Sequence, residues 1–328
     1  MNCGCGMTRR GFLTGLLAAG AATVLPGCAT TTPAVAKRGL IDVHHHYFEK
    51  NSTFGWTVEQ TLADMDSVGT RMAMLSVARP EPATTPEQAR RLARAGNEYA
   101  ARLGIDHKGR FGSFASPPLL NMDDALKEIE YAMDVLKANG IALRTSLGDK
   151  WLGNPYFAPM MAELNRRKAV VFVHPTTAEC CNNLVKDIPA TVIEYGTDTT
   201  RTITNLVFSG TAARYPDIRF IFSHAGGTLP FLTERLLKLP EMNPALKASV
   251  PNGVLHELRR FHYDTAWSAT PYALSSLMKL VDPAQVVFGT DFPYRTSLDT
   301  VNGLVDYGYA QKDLDAITQG NASRLLGL

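Results

Sequence analysis

The chain has 328 residues, 45% hydrophobic and 20% charged, with a formal net charge of +2. That composition excludes a disordered or fibrous protein and provides enough apolar material for a large core. The first 27 residues hold two arginines and no acid, so the remainder balances at zero net charge and lacks the basic field of a nucleic-acid surface.

Residues 1–28 differ from the rest. "MTRRGFLTGLLAAGAATVLPGCA" joins Arg9-Arg10 to an apolar Ala, Gly and Leu segment. It reads as an export signal and resembles the twin-arginine type, with a retained membrane anchor as the alternative. Leu25-Pro26-Gly27-Cys28 resembles a lipoprotein processing site, which would lipidate Cys28 and tether a periplasmic protein to a membrane. Residues 29–37 read as a linker and 38–328 as one domain. No run after residue 40 approaches the ~20 apolar residues of a membrane span.

Eight apolar strands follow in order: "GLIDVHHH" (39–46), "RMAMLSVA" (71–78), "RFGSFAS" (110–116), "GIALRTS" (140–146), "AVVFVHP" (169–175), "IRFIFSHAG" (218–226), "RFHYDTA" (260–266) and "QVVFGTDF" (285–292). Several are nearly continuous apolar runs, as expected of parallel strands buried on both faces. Helical patterns separate them. "MDDALKEIEYAMDVLKANG" places Leu126, Ile129, Met133 and Leu136 on one stripe and ends at Gly140. "NPYFAPMMAELNRRK" and "TTRTITNLVFSGTAARYP" precede strands five and six. Eight alternating units predict an α/β fold, a (β/α)8 TIM barrel. An open doubly wound sheet is the alternative, weakened by the lack of a Gly-rich loop after strand one.

Five of the eight histidines fall at predicted strand ends. His44, His45 and His46 close strand one, His174 strand five and His224 strand six, while Asp291 closes strand eight. Barrel active sites form at that rim. Strand side chains alternate, so if Val43 packs outward the inward set is Asp42, His44 and His46. His45 then faces the other way, under a helix or bonded to a backbone carbonyl. His44 and His46 start a divalent-metal site that His174 and Asp291 complete. Three nitrogens and a carboxylate suit zinc best, with manganese or iron as alternatives. Asp42 is placed to orient a ligand. His224 reads as an acid/base or polarising donor beside the metal, or as a further ligand. Arg144 is placed to neutralise a carboxylate, Asp264 to support a ligand, and Tyr294 and Trp267 to stack on a ring. Cys180 and Cys181 read as two free loop thiols.

These residues resemble the amidohydrolase superfamily. Asp42-x-His44-x-His46, His174-Pro175, Ser223-His224-Ala225-Gly226-Gly227 and Gly289-Thr290-Asp291-Phe292-Pro293 carry the likeness, with "NEYAARL", "DTTR", "LPFL" and "GNASRLLGL". The nearest branch holds aminocarboxymuconate semialdehyde decarboxylase and the non-oxidative aromatic acid decarboxylases, and the 6-methylsalicylate type is most similar. The resemblance implies metal ligation by His44, His46, His174 and Asp291 and a catalytic role for His224. It also implies that Arg235 serves a neighbouring subunit's site in a homodimer. An arginine that some relatives keep after strand one is missing from "WTVEQTLADMD", which argues against the aminocarboxymuconate substrate.

The expected activity is metal-dependent decarboxylation of a hydroxyaromatic or related unsaturated carboxylic acid, with Asp291 or His224 delivering the proton. The same residues would also serve hydrolysis of a lactone, ester or amide. An exported, non-catalytic binding protein is a third reading.

Overall fold

The computed structural model describes residues 39–48, 55–77, 83–182 and 184–328. The expected export signal, Cys28 and the 29–37 linker lie outside them.

Eight parallel strands form one sheet: β1 (Leu40–Tyr47), β2 (Thr70–Val77), β3 (Phe111–Ala115), β4 (Gly140–Arg144), β5 (Val170–His174), β6 (Arg219–Phe222), β7 (His262–Asp264) and β8 (Val286–Val287). They pair in chain order. The seam between the last and first strands is closed by Val43 N–H to Phe288 O (2.9 Å), Asp291 N–H to His44 O (2.8 Å) and His46 N–H to Phe292 O (2.8 Å). The chain is therefore the expected (β/α)8 barrel. Of the predicted eighth strand, 285–292, only Val286–Val287 pairs with β7, and the rest runs along β1.

One helix packs outside each strand: α1 (Val58–Val68), α2 (Pro86–Asp106), α3 (Met122–Asp134), α4 (Ala158–Arg166), α5 (Ala190–Phe208), α6 (Leu229–Met242), α7 (Pro271–Leu280) and α8 (Ser297–Tyr307). Their starts are written locally. Thr57, Thr85, Asn121, Thr270 and Thr296 each accept a hydrogen bond from the first turn through the side chain. α3 stops at Asp134 rather than running to Gly140; it buries Ala125, Glu128, Ile129 and Ala132, so of the expected stripe only Ile129 is fully buried, with Met133 packed partly buried against the core. Gly140 instead opens β4, where a Cβ would lie 2.5 Å from Val170 O. α5 begins nine residues before the predicted Thr199, at Ala190.

Two apolar layers make the core. Alternate strand residues, among them Ile41, Val43, Met74, Phe114, Phe172 and Val287, fill the barrel interior. A larger layer lies between strands and helices. Val43 thus faces inward, opposite to the assumption behind the Asp42-His44-His46 set. The β1–β2 register shifts between Asp42 and His45, and this irregularity turns His44 and His46 into the barrel mouth. Cys180 and Cys181 are joined as a disulfide rather than left as free thiols.

His262, on β7, has a buried Nδ1 without a partner, and burial lowers its imidazole to about 4 from 6.5. The unfolded chain then takes up the proton first as pH falls. Stability should be full above about pH 6.5 and decline as pH drops toward 4. Urea midpoints at pH 7 and 5 should differ less in His262→Gln than in the wild type.

Candidate metal centre

The strand ends bring His44, His46, His174, His224 and Asp291 together. His44 Nε2 and His46 Nε2 are 3.2 Å apart, and His46 Nε2 and His174 Nε2 are also 3.2 Å apart. Asp291 Oδ1 is 3.1 Å from His44 Nε2 and 2.9 Å from His46 Nε2. Donor atoms of His44, His174, His224 and Asp291 all lie within 4.8 Å of one another.

The other ring nitrogens explain which atoms converge. His44 Nδ1 meets Asp264 Oδ2 at 2.7 Å, His46 Nδ1 meets Ser76 O at 3.3 Å, and His174 Nδ1 meets Pro175 O at 2.9 Å. His44 and His46 thus have acceptors for an Nδ1–H, His174 Nδ1 sits between Pro175 O and the Arg144 Nη1 donor, and the Nε2 atoms of all three rings converge on one point.

Backbone geometry sharpens the rim. His224, Ala225, Trp267 and Asp291 all have positive φ, near 55–66°. Such values are uncommon without glycine, and they cluster where strands turn into the mouth. The adjoining Gly227 has φ +67°, and a Cβ there would sit 1.9 Å from Gly196 O, which accounts for the second glycine of His-Ala-Gly-Gly.

The sequence matches the Amidohydrolase family over residues 41–328. The chain belongs to that family. This amidohydrolase is 38% identical over 319 residues to decarboxylase macB of Penicillium terrestre, covering 87% of this chain and 94% of the relative. It is 35% identical over 273 residues to the 6-methylsalicylic acid decarboxylase of Penicillium expansum, covering 77% and 84%. Its fold also matches a dihydroxybenzoic acid decarboxylase from Polaromonas sp. solved with manganese and the inhibitor 2-nitroresorcinol. That likeness has a TM-score of 0.77 at 19% identity and covers 89% and 97% of the two chains.

The amidohydrolase's donor set fits a divalent cation. Asp291 Oδ1 is buried and no ring N–H is aligned to bond it. Ligands about 2.0–2.1 Å from a tetrahedral ion are themselves roughly 3.4 Å apart, close to the spacing of the Nε2 atoms. Burial lowers His46, and burial with the Arg144 charge holds His174 well below 6.5, so both present neutral nitrogens. Burial alone would lower His44, but the Asp264 and Asp291 carboxylates raise it to about 10. Burial alone would raise Asp291; the His44 charge and the closeness of the His224, His44 and His46 rings to its two oxygens overcome this and keep it ionised.

The supporting roles of Asp42 and His45 differ from expectation. Asp42 touches no ligand ring. Its Oδ1 accepts from His44 N–H (2.9 Å) and Thr290 N–H (3.2 Å), while Oδ2 meets His45 Nδ1 (2.8 Å) and accepts from Thr290 Oγ1 (2.6 Å). It fastens β1 to the residue before Asp291. His45 bonds this carboxylate rather than a carbonyl, and its ring stacks on Phe292 at 4.9 Å. Trp267 donates from Nε1 to Asp291 Oδ2 at 2.8 Å, and Tyr294 lies edge-on to His46 at 6.0 Å. His224 Nε2 is 3.4 Å from the same Oδ2. Arg144 Nη1 lies 2.8 Å from His174 Nδ1, at the edge of the cluster. Arg235 is exposed on α6 and is not part of the cluster within one chain. Ser76 was not singled out in the sequence, and Thr290 was given no role of its own. Thr290 had a signal, its place beside Asp291; Ser76 had none.

Asp264 holds His44 through Oδ2 and accepts from His224 N–H (2.8 Å) and Ala266 N–H (3.0 Å) through Oδ1. Carboxylates that orient metal-binding histidines are typically worth about 10–100-fold in metal affinity. Asp264→Asn should weaken manganese or zinc binding by that factor, measured by competition with a chromophoric chelator.

Proposed function

We propose that this amidohydrolase catalyses non-oxidative decarboxylation of a hydroxyaromatic carboxylic acid, with His44, His46, His174 and Asp291 holding a divalent metal. The carrying observation is the division of Asp291: Oδ1 faces the imidazoles while Oδ2 faces His224 and Trp267. The relatives at 35–38% identity, named decarboxylases, support the same reading. Zinc is the first choice from the donor set, and manganese is the alternative.

When bound, the metal supplies positive charge that holds the acid's oxygens and offsets the charge that builds as the bond breaks. His224 and Asp291 Oδ2 hold a proton at the mouth, and Trp267 fixes that oxygen. The proton goes to the ring carbon bearing the carboxylate. The bond from that carbon to the carboxylate then breaks, its electron pair returns to the ring, and carbon dioxide leaves. Arg144 neutralises the acid's negative charge at the rim. Arg235 serves a second copy's site in a homodimer, so Arg235→Ala should raise KM for the acid without loss of metal.

The test is a panel on metal-loaded protein: carbon dioxide release from hydroxybenzoates, and proton release from lactones, esters and amides. Carbon dioxide is the expected product. Lactone opening with no carbon dioxide from any acid would overturn the reading in favour of a hydrolase.

The Arg9-Arg10 signal supports export, and Cys28 supports a lipid tether in the periplasm. A reporter fused to residues 1–37 should cross the membrane, and Cys28→Ser should release it from the membrane fraction. Export lost on Arg9-Arg10 substitution by lysines would identify the twin-arginine route.

A further inference from the structure

A cavity of about 290 Å³ opens beside the metal centre, between α2, the segment after β3 and the rim of β4. Its inner wall is formed by His174, Arg144, Phe172 and Ser76, which belong to the cluster or touch it. The far walls are hydrocarbon: Ala89, Leu92 and Ala93 of α2, Leu119 after β3, and Leu143 and Leu147 around β4. The side chains of Tyr47 and Asn97 along these walls are already engaged. Tyr47 Oη donates to Gly96 O at 2.8 Å. Asn97 donates to Ser116 O and Glu128 Oε1 and accepts from Ser116 N–H. The cavity therefore has one charged end, at the metal centre, and an apolar body.

Size decides what such a shape is for. An apolar cavity of roughly 150 Å³ already holds benzene. A bare hydroxybenzoate, or one bearing a single methyl group, would leave much of this space unfilled by hydrocarbon. The small side chains of Ala89 and Ala93, one helical turn apart on α2, keep the space open.

We infer that the acid carries a hydrocarbon chain of several carbons, which lies in this cavity between α2 and the β4 rim while its carboxylate end faces the metal centre. The inference rests on the proposed decarboxylase reading for the head of the acid, but not for the tail. The chain makes the same contacts before and during bond breaking, so its burial should appear in KM and leave kcat nearly constant.

The experiment uses metal-loaded full-length protein and salicylic acids bearing hydrogen, methyl, propyl or pentyl at the 6-position, with a second series at the 5-position. Each buried methylene should raise kcat/KM about fourfold, from ~0.8 kcal/mol per CH₂. Methyl to propyl should therefore gain at least about tenfold in one series. Ala93→Phe, which fills the cavity, should flatten that rise. Dissociation constants of the same acids, measured by calorimetry, read the tail even without turnover. If no acid releases carbon dioxide while affinity still climbs with chain length, the decarboxylase reading fails and the cavity assignment stands. Chain-length series that are flat or falling at both positions would overturn the inference. So would a rise that Ala93→Phe leaves intact.

Discussion

Asp291→Asn should lower carbon dioxide release by about 10³-fold or more, in the range expected when a proton-transferring group is lost, and should also weaken metal binding. Both effects come from one side chain with two differently used oxygens. Oδ1 lies 2.9–3.1 Å from two Nε2 atoms and lacks an aligned donor. Oδ2 accepts from Trp267 Nε1 at 2.8 Å and lies 3.4 Å from His224 Nε2. An amide keeps the shape, removes the negative charge, and turns one of these atoms into a donor. Metal content by elemental analysis, beside turnover at saturating metal, separates the two losses. Full metal content with unchanged turnover would remove Asp291 from the reaction. His224→Gln provides the comparison, since it should retain metal while losing turnover.

The second large effect is expected from the metal itself. Stripping the protein with a chelator should abolish turnover and leave a folded barrel, and manganese or zinc should restore activity. The readout independent of activity is thermal. A ligand held at about 1,000 times its dissociation constant stabilises the folded state by ~4 kcal/mol. For a domain of this size that corresponds to a Tm rise on the order of 5–10 °C. The structural reason is local: the Nε2 atoms of neighbouring imidazoles lie 3.2 Å apart beside an ionised carboxylate, and a cation between them would bind all of them at once. A stripped protein with full turnover and an unchanged Tm would rule out the metal centre.

Much of this was legible before folding because barrel strands alternate with helices and end at one rim. A histidine at the end of an apolar strand is visible in "VVFVHP", and Asp291 is equally visible in "VVFGTDFP". What failed was strict alternation along β1. Its register shift between Asp42 and His45 cannot be read from residue types, and it places Val43 inside the barrel and Asp42 against Thr290. The stripe expected on α3 holds in part: Ile129 is fully buried and Met133 packs partly buried against the core, while Leu126 and Leu136 are only half covered and Ala125 and Ala132 take buried positions.

By itself the sequence determined the order of elements, the barrel class and the identity of the residues that meet at the mouth, because apolar periodicity and helix-start signals act over a few residues. Only the tertiary structure decided what each of those residues does. It gave Asp264 to His44, Asp42 to the β1–β8 seam and Trp267 to Asp291, and it left a cavity beside His174. Those roles depend on distances between residues far apart in the chain, and such distances are set by barrel closure and packing rather than by any local preference.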